Sequence, residues 1–306
     1  MPVYLPIAGM SVDLFMMTGV GYAVGFLAGM LGVGGGFLVT PLLAVLGIPI
    51  DVAVSTGANQ AVATSASGTL AQWQRGNVDL KMGALLIAGG VIGATAGVYF
   101  LGFLRNVGQI DLVVSVLYVV LLGALGVLML VEGVRAALQR RAGVAPRRGL
   151  RRHNWVHSLP LKTRFPGSKL YMSLIPPLAL GALIGLLGGI MGVGGGFVAV
   201  PIMVYVFGMP TRVVVGTSLL QVLATSVLVT VLQAWANQSV DVVLAAMLML
   251  GGVIGAQFGA RAGYNLKGEQ IRALLGLLIV AVSVRIAIGL VVTPADLYGL
   301  DVPRQP

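Results

Sequence analysis

The chain has 306 residues, of which 58% are hydrophobic and 9% charged; its mean hydropathy is +0.99 and its formal net charge is +10. This composition excludes an ordinary soluble domain and predicts an integral membrane protein. The sequence contains no cysteine, which excludes disulfides, thiol catalysis and thiolate metal sites. Both histidines, His153 and His157, lie in a polar central stretch without a carboxylate cluster, so no metal site and no cofactor are expected.

Ten apolar segments follow one another along the chain: 12–33, 36–48, 52–74, 81–104, 109–138, 172–191, 196–208, 212–235, 242–262 and 271–293. Segments 36–48 and 196–208 are shorter than the others: at about 1.5 Å per residue they reach about 20 Å against a hydrocarbon core of about 30 Å. The sequence therefore predicts an all-α membrane protein with eight to ten membrane helices. It leaves open whether the two short segments span the bilayer or dip back.

The first short segment is preceded by a run of glycines inside apolar sequence. Residues 31–43 read LGVGGGFLVTPLL, and residues 191–203 repeat the pattern as MGVGGGFVAVPIM. Glycine weakens a helix interior by about 1 kcal/mol relative to alanine, and Pro41 and Pro201 follow closely. Both stretches therefore predict a broken helix.

The two halves of the chain are copies of each other. Gly25 aligns with Gly185 and Pro41 with Pro201, and GGVIGATAG at 89–97 matches GGVIGAQFG at 251–259. The offset indicates an internal duplication of about 160 residues. The predicted domains are a first transmembrane repeat at 1–138, a basic cytoplasmic linker at 139–171, and a second transmembrane repeat at 172–306.

Positive charge predicts how the chain lies in the membrane. Loops rich in Lys and Arg stay in the cytoplasm, and the 139–171 stretch is rich in both. Counting the segments outwards from this loop places both termini on the outer side of the membrane and puts the equivalent turns 48–51 and 208–212 on opposite faces. The two repeats are thus expected to have inverted topology, which with interrupted segments is typical of a secondary transporter.

The glycine breaks are candidates for an anion site. Each precedes a short helix whose first amides lack intrahelical partners and carry the positive end of the helix dipole. The alternative is that the glycines only allow a sharp turn and close helix crossing. The candidate residues at the breaks are Gly34, Gly35, Gly36, Phe37, Gly194, Gly195, Gly196 and Phe197.

Polar residues repeat along segments 52–74 and 212–235, where they could line a substrate path or join neighbouring helices by hydrogen bonds. The predicted path residues are Thr56, Asn59, Gln60, Thr64, Thr217, Ser218, Gln221 and Thr225. Arg285 is the charge well inside a predicted span. It is either an accessory binding residue or a side chain that reaches to the outer interface.

Glycines at every fourth position have a different interpretation. Gly89, Gly93 and Gly97 in the first half correspond to Gly251, Gly255 and Gly259 in the second. Such spacing allows close packing of transmembrane helices. No carboxylate or histidine lies at the centre of a predicted span, which argues against a proton relay and a membrane hydrolase, so no enzymatic activity is expected.

Longer motifs identify a family resemblance. GFLAGMLGVGGGFLVTPLLAVLGIP and GLLGGIMGVGGGFVAVPIMVYVFGMP, with the later STGANQAVATS and GTSLLQVLATS, resemble the sulfite exporter TauE/SafE family of anion permeases. The resemblance covers nearly the whole chain apart from the basic insert. It implies export of sulfite, a sulfonate such as sulfoacetate, or a related sulfur oxyanion across the inner membrane.

Several functional alternatives remain open at this point. They are an anion channel, an uptake permease for a related anion, and, from another class, a membrane scaffold or assembly factor that uses the basic loop. The expected partners are a small anionic substrate and the lipid bilayer, without nucleic acid; the sequence is also compatible with a homo-oligomer.

Overall fold

The computed structural model describes residues 2–31, 34–141, 162–165, 167–168, 170–264 and 268–291. The helices of the first half are α1 (Leu14–Leu31), α2 (Gly36–Val45), α3 (Ile50–Gln74), α4 (Leu80–Val107) and α5 (Ile110–Arg141). Those of the second half are α6 (Ile175–Met191), α7 (Gly196–Tyr205), α8 (Thr211–Leu232), α9 (Val242–Tyr264) and α10 (Gly268–Val291). A π-helix at Gln233–Asn237 continues α8.

The prediction of a helical membrane protein is confirmed. Within the described residues, four helical stretches are long and apolar enough to cross a membrane: Leu80–Val107, Ile110–Arg135, Thr211–Asn237 and Val242–Gly263. Helices α2 and α7 are 10 residues each, as the short segments predict. Two short antiparallel hairpins were not predicted: β1 (Pro2–Leu5) with β2 (Met10–Asp13), and β3 (Lys162–Phe165) with β4 (Leu170–Ser173).

Each of the main helix pairs joins one helix of the first half to one helix of the second half. α1 packs along α9 and α4 along α6, while α3 contacts α8 and α5 contacts α10. If the two halves are interchanged, the α1–α9 pair takes the place of the α4–α6 pair. The α3–α8 and α5–α10 pairs each stay the same pair. Neither half forms this core by itself, because the largest helix contacts join one half to the other.

The evenly spaced glycines cause the closest of these contacts. A methyl group added to Gly93 would collide with the backbone of Ala182 in α6, and one added to Gly255 would collide with the backbone of Tyr22 in α1. Glycines on the facing helices make the same approach from the other side, including Gly25 and Gly185. The structural interpretation of the glycine pattern is confirmed, since only a hydrogen side chain lets these backbones come so close.

Replacing Gly25 with alanine is expected to destabilise the protein by about 2 kcal/mol or more, because overpacking against backbone has no flexible neighbour to absorb it. The new methyl group would lie within 3.0 Å of backbone atoms of Gly252. Gly19→Ala is the matched control on the same helix, since nothing lies within 4 Å of its added methyl group. Thermal unfolding in detergent measures both, and equal melting temperatures for the two variants would refute this packing argument.

Contacts between the loops show which turns lie at the same end of the bundle. At one end Arg105 pairs with Asp51 at 3.2 Å and donates to the carbonyl oxygen of Asn237 at 2.6 Å. At the other end the backbone N–H of Asp79 donates to Thr217 Oγ1 at 3.0 Å, near the start of α8. α3 and α8 therefore run in opposite directions. This grouping of turns is the one that the charge pattern predicts, whereas the side that faces the cytoplasm stays a prediction.

Each hairpin docks on an aspartate that begins a helix of the other half. Asp79 accepts hydrogen bonds from the backbone N–H and the hydroxyl of Ser168 at 2.8 and 2.6 Å. Asp241 accepts one from the backbone N–H of Ile7 at 3.1 Å. The second hairpin thus repeats the first and crosses the boundary predicted at residue 171. Residues 142–161 of the predicted linker lie outside the described residues.

Candidate functional site

The two glycine breaks, far apart in sequence, lie side by side in the core. The aromatic rings of Phe37 and Phe197 stack with centroids 6.1 Å apart and an interplanar angle of 27°. A methyl group added to Gly36 would reach the carbonyl oxygens of Gly192 and Gly57. Both short helices, α2 and α7, therefore begin at the same place, as expected for a site at the interface between two repeats.

The backbone at the breaks needs glycine, but the two copies differ in detail. Gly34 has φ +81°, and in the second copy both Gly194 and Gly195 are left-handed, with φ +67° and +71°. Side chains rarely adopt this region. Gly35, the counterpart of Gly195, instead has φ −75°, a value that any residue adopts. The sequence repeat did not indicate this difference.

All eight predicted path residues are buried within α3 and α8, at 0–7% exposure. They are Thr56, Asn59, Gln60, Thr64, Thr217, Ser218, Gln221 and Thr225. Because α3 contacts both α2 and α8, its polar face adjoins the breaks.

Thr64 and Gln60 are the path residues that approach the first break. The backbone N–H of Gly35 donates to Thr64 Oγ1 at 3.1 Å, and the Thr64 hydroxyl in turn donates to the carbonyl oxygen of Gln60 at 2.9 Å. Gln60 Nε2 donates to the carbonyl oxygen of Gly21 in α1 at 3.3 Å. This amide therefore joins helices, as the structural alternative proposed, while its Oε1 has no hydrogen-bond partner.

The second copy lacks the equivalent bond to the break. Thr225 Oγ1 accepts from Gln221 Nε2 at 3.2 Å and donates to the Gln221 carbonyl oxygen at 2.9 Å. Gln221 Oε1 is buried without a partner, as in Gln60. The two glutamines thus present matching unpaired carbonyl groups in the core.

Other predicted path residues make contacts away from the breaks. Thr217 accepts from Asp79 at the end of the bundle, and the Asn59 side chain donates to the carbonyl oxygen of Ser55 at 3.2 Å in its own helix. Arg285 is exposed on α10, a helix whose main contact is α5, so it does not join the buried residues. A role in binding for any predicted residue stays a prediction.

The predicted path residues omit two serines that lie on the breaks. A methyl group added to Gly34 would lie 3.2 Å from Ser65 Oγ, and one added to Gly194 would lie 2.9 Å from Ser226 Oγ. The repeated Thr-Ser pairs at the ends of STGANQAVATS and GTSLLQVLATS are the signal that could have found them. The pairs do not reveal which of their two hydroxyls faces a break.

The electrostatics of the site come from neutral dipoles. Among the described residues, the buried charged side chains are Asp79 and Asp241, which accept backbone hydrogen bonds where α4 and α9 begin. The centre instead contains hydroxyls, amides and two helix starts. Such a set can donate hydrogen bonds to an anion without a fixed countercharge.

Comparisons with known proteins agree with this architecture. The family model of the sulfite exporter TauE/SafE family matches residues 17–286. A "Probable membrane transporter protein" of Xylella fastidiosa (strain 9a5c) is 29% identical over 276 residues, covering 89% of this chain and 94% of that protein. The "Probable membrane transporter protein YjnA" of Bacillus subtilis (strain 168) is 27% identical over 280 residues, covering 90% of this chain and 100% of its own length.

A more distant relative has a similar name. The "Probable membrane transporter protein YunE" of Bacillus subtilis (strain 168) is 24% identical over 276 residues, covering 86% of this chain and 93% of that protein. No solved structure matches the chain. Because the family model spans both glycine breaks and all the helices that hold them, the chain belongs to the sulfite exporter TauE/SafE family of membrane transporters.

Proposed function

We propose that this protein is a secondary transporter that exports a small sulfur oxyanion, such as sulfite or a sulfonate, across the bacterial inner membrane. The observation that carries the proposal is the meeting of the two glycine breaks, marked by the Phe37–Phe197 ring stack, beside the buried polar faces of α3 and α8. Helix starts that converge in a core can hold an anion through backbone N–H groups. The protein carries out no chemical reaction in this proposal and uses no cofactor.

Alternating access follows from the relation between the two halves. The packing of α1 on α9 and of α4 on α6 joins the first half to the second. This arrangement supports two units that rock against each other around a central site. The opposite directions of α3 and α8 support inverted repeats in the membrane. Exposure of the site to each side in turn would carry the anion across without an open pore.

The proposed orientation places the basic linker in the cytoplasm and both termini in the periplasm. The end of the bundle that holds Lys81 and Arg164 would then face the cytoplasm. Basic groups there would concentrate anions near the inner mouth, an effect that salt weakens. Reporter fusions after Pro306 and near Gly149 test the orientation, and fusions that report the same side of the membrane would contradict it.

Flux measurements in proteoliposomes test the proposed function. We expect saturable movement of sulfite or a sulfonate, and counterflow, in which unlabelled anion inside the vesicles accelerates uptake of labelled anion. Counterflow requires a carrier. A channel instead gives single-channel currents and shows no counterflow. Sulfite, sulfonate, thiosulfate and sulfate offered separately identify the substrate class, and vesicles that move none of them would overturn the proposal.

A deletion separates transport from a scaffold role for the basic loop. Removing residues 143–158 spares the hairpin at 162–173, which is bound to the bundle through Ser168 and Asp79. A transporter should keep its flux after this deletion while variants at the glycine breaks lose it. The reverse pattern, with flux unaffected at the breaks and function lost without the loop, would favour the scaffold.

A further inference from the structure

Several buried hydroxyl groups of the described residues have no hydrogen-bond partner, and two of them, on Ser65 and Ser226, lie at the glycine breaks. Ser65 is 0% and Ser226 1% exposed, and neither Oγ atom has a partner. Leaving a buried hydroxyl unpaired is unfavourable, so each such group in a folded protein needs an explanation. In a transporter, one explanation is that the partner is the substrate.

The two serines occupy matching places in the two repeats. Ser65 follows Thr64 in α3, and Ser226 follows Thr225 in α8. Their hydroxyls lie against Gly34 and Gly194, whose added methyl groups would both contact the same atom, Val222 Cγ1, at 3.0 and 2.6 Å. The serines therefore flank a single point where α3, α8 and the two breaks meet.

The neighbouring threonines make an intrahelical hydrogen bond that these two serine hydroxyls lack. A hydroxyl within a helix can donate to the carbonyl oxygen four residues earlier. Thr64 does so to Gln60 at 2.9 Å and Thr225 to Gln221 at 2.9 Å. Ser65 and Ser226 make no such bond and instead lie beside the glycine backbone that, in the proposed function, approaches the anion.

We propose that the Ser65 and Ser226 hydroxyls donate hydrogen bonds to the transported anion, one at each glycine break, and that this anion is a singly charged oxyanion. This inference rests on the proposed function. The charge follows from the neutral surroundings, because the buried charged residues of the described chain, Asp79 and Asp241, lie at helix starts at the ends of the bundle. The cost of taking an ion out of water rises with the square of its charge, and the described residues around this site include no cation to offset a second charge.

Serine-to-alanine variants test the proposed donors. Because the hydroxyls have no partner in this structure, Ser65→Ala and Ser226→Ala should leave the melting temperature measured without added anion unchanged or higher. Each should raise the KM for methanesulfonate, a permanently singly charged oxyanion, about fivefold, and the double variant should raise it about 25-fold. The rise in melting temperature on adding methanesulfonate should shrink in parallel.

Ser283→Ala is the matched control. Ser283 is also buried in a helix, but its hydroxyl donates to the carbonyl oxygen of Val119 at 3.1 Å, joining α10 to α5. Its removal should lower the melting temperature and leave KM unchanged. Lower melting temperatures for the Ser65 and Ser226 variants, with an unchanged KM, would show that these serines are structural and would overturn the inference.

A second arm tests the charge of the substrate. Hydrogensulfite is singly charged and loses its proton near neutral pH to give doubly charged sulfite. Its transport should therefore fall at alkaline pH, while that of methanesulfonate stays constant. Doubly charged sulfate should not be transported. Equal transport of sulfate would overturn the charge assignment. Wild-type vesicles that move no oxyanion contradict the proposed function itself, whereas wild-type transport that the serine variants share contradicts this inference alone.

Discussion

Gly35→Ala is expected to reduce oxyanion transport about a hundredfold in a protein that still folds and inserts, through loss of charge-assisted hydrogen bonds from the backbone to the anion. The φ of Gly35 is −75°, so alanine fits its backbone without strain. The added methyl group would lie 3.2 Å from Thr64 Oγ1 and 3.4 Å from Thr64 Cγ2, which requires a small shift. It would nevertheless cover the backbone that, in the proposed function, the anion approaches.

The measurement is initial flux per inserted protein molecule, with the melting temperature measured in parallel. Gly289→Ala serves as the control, because nothing lies within 4 Å of its added methyl group and it should keep full transport. Gly195, the counterpart of Gly35, is unsuitable for this test. Its φ is +71° and an added side chain would meet Ile184, so Gly195→Leu should impair folding. A well-folded Gly35→Ala variant with normal flux would refute the anion role of the break.

A membrane potential is the second large effect that we expect. Moving one negative charge out of a vesicle at about −100 mV inside releases roughly 2.3 kcal/mol, enough for about a fiftyfold concentration ratio. The buried carboxylates in the described chain, Asp79 and Asp241, already accept backbone hydrogen bonds at helix starts. We therefore expect the charge of the substrate itself to drive export.

Vesicles loaded with labelled anion and given a potassium gradient with valinomycin test this expectation. An inside-negative potential should accelerate efflux, and reversing the gradient should slow it. Flux that ignores the imposed potential but follows a pH or sodium gradient would contradict an electrogenic mechanism and indicate a coupled ion. The same field opposes uptake of an anion, so the experiment also bears on the direction of transport.

The sequence predicted the features that depend on spacing alone. Glycines four residues apart mark one face of a helix, so Gly93 and Gly255 could be assigned to helix contacts before the partner helices were known. The duplication likewise implied that two interrupted segments share one interface. The stack of Phe37 on Phe197 is the outcome of that arrangement.

Features that depend on tertiary contacts were not predictable. Strands of four residues with mixed polarity, such as KTRF at Lys162–Phe165, give no periodic signal, and the basic residues around them indicated a loop. The alignment of Gly35 with Gly195 concealed opposite signs of φ. The orientations of Ser65 and Ser226 depend on how α3 and α8 cross, which no single-helix pattern specifies.

The central claim is that the two glycine breaks bind the anion jointly. Locating the bound anion tests this claim most directly. Selenite has the shape and charge of sulfite, and the anomalous scattering of selenium gives its position in a crystal. We predict a selenium site between the breaks, within hydrogen-bond distance of the Ser65 or the Ser226 hydroxyl. A selenium site only at Arg285, at Arg105 or in the basic linker would contradict the account.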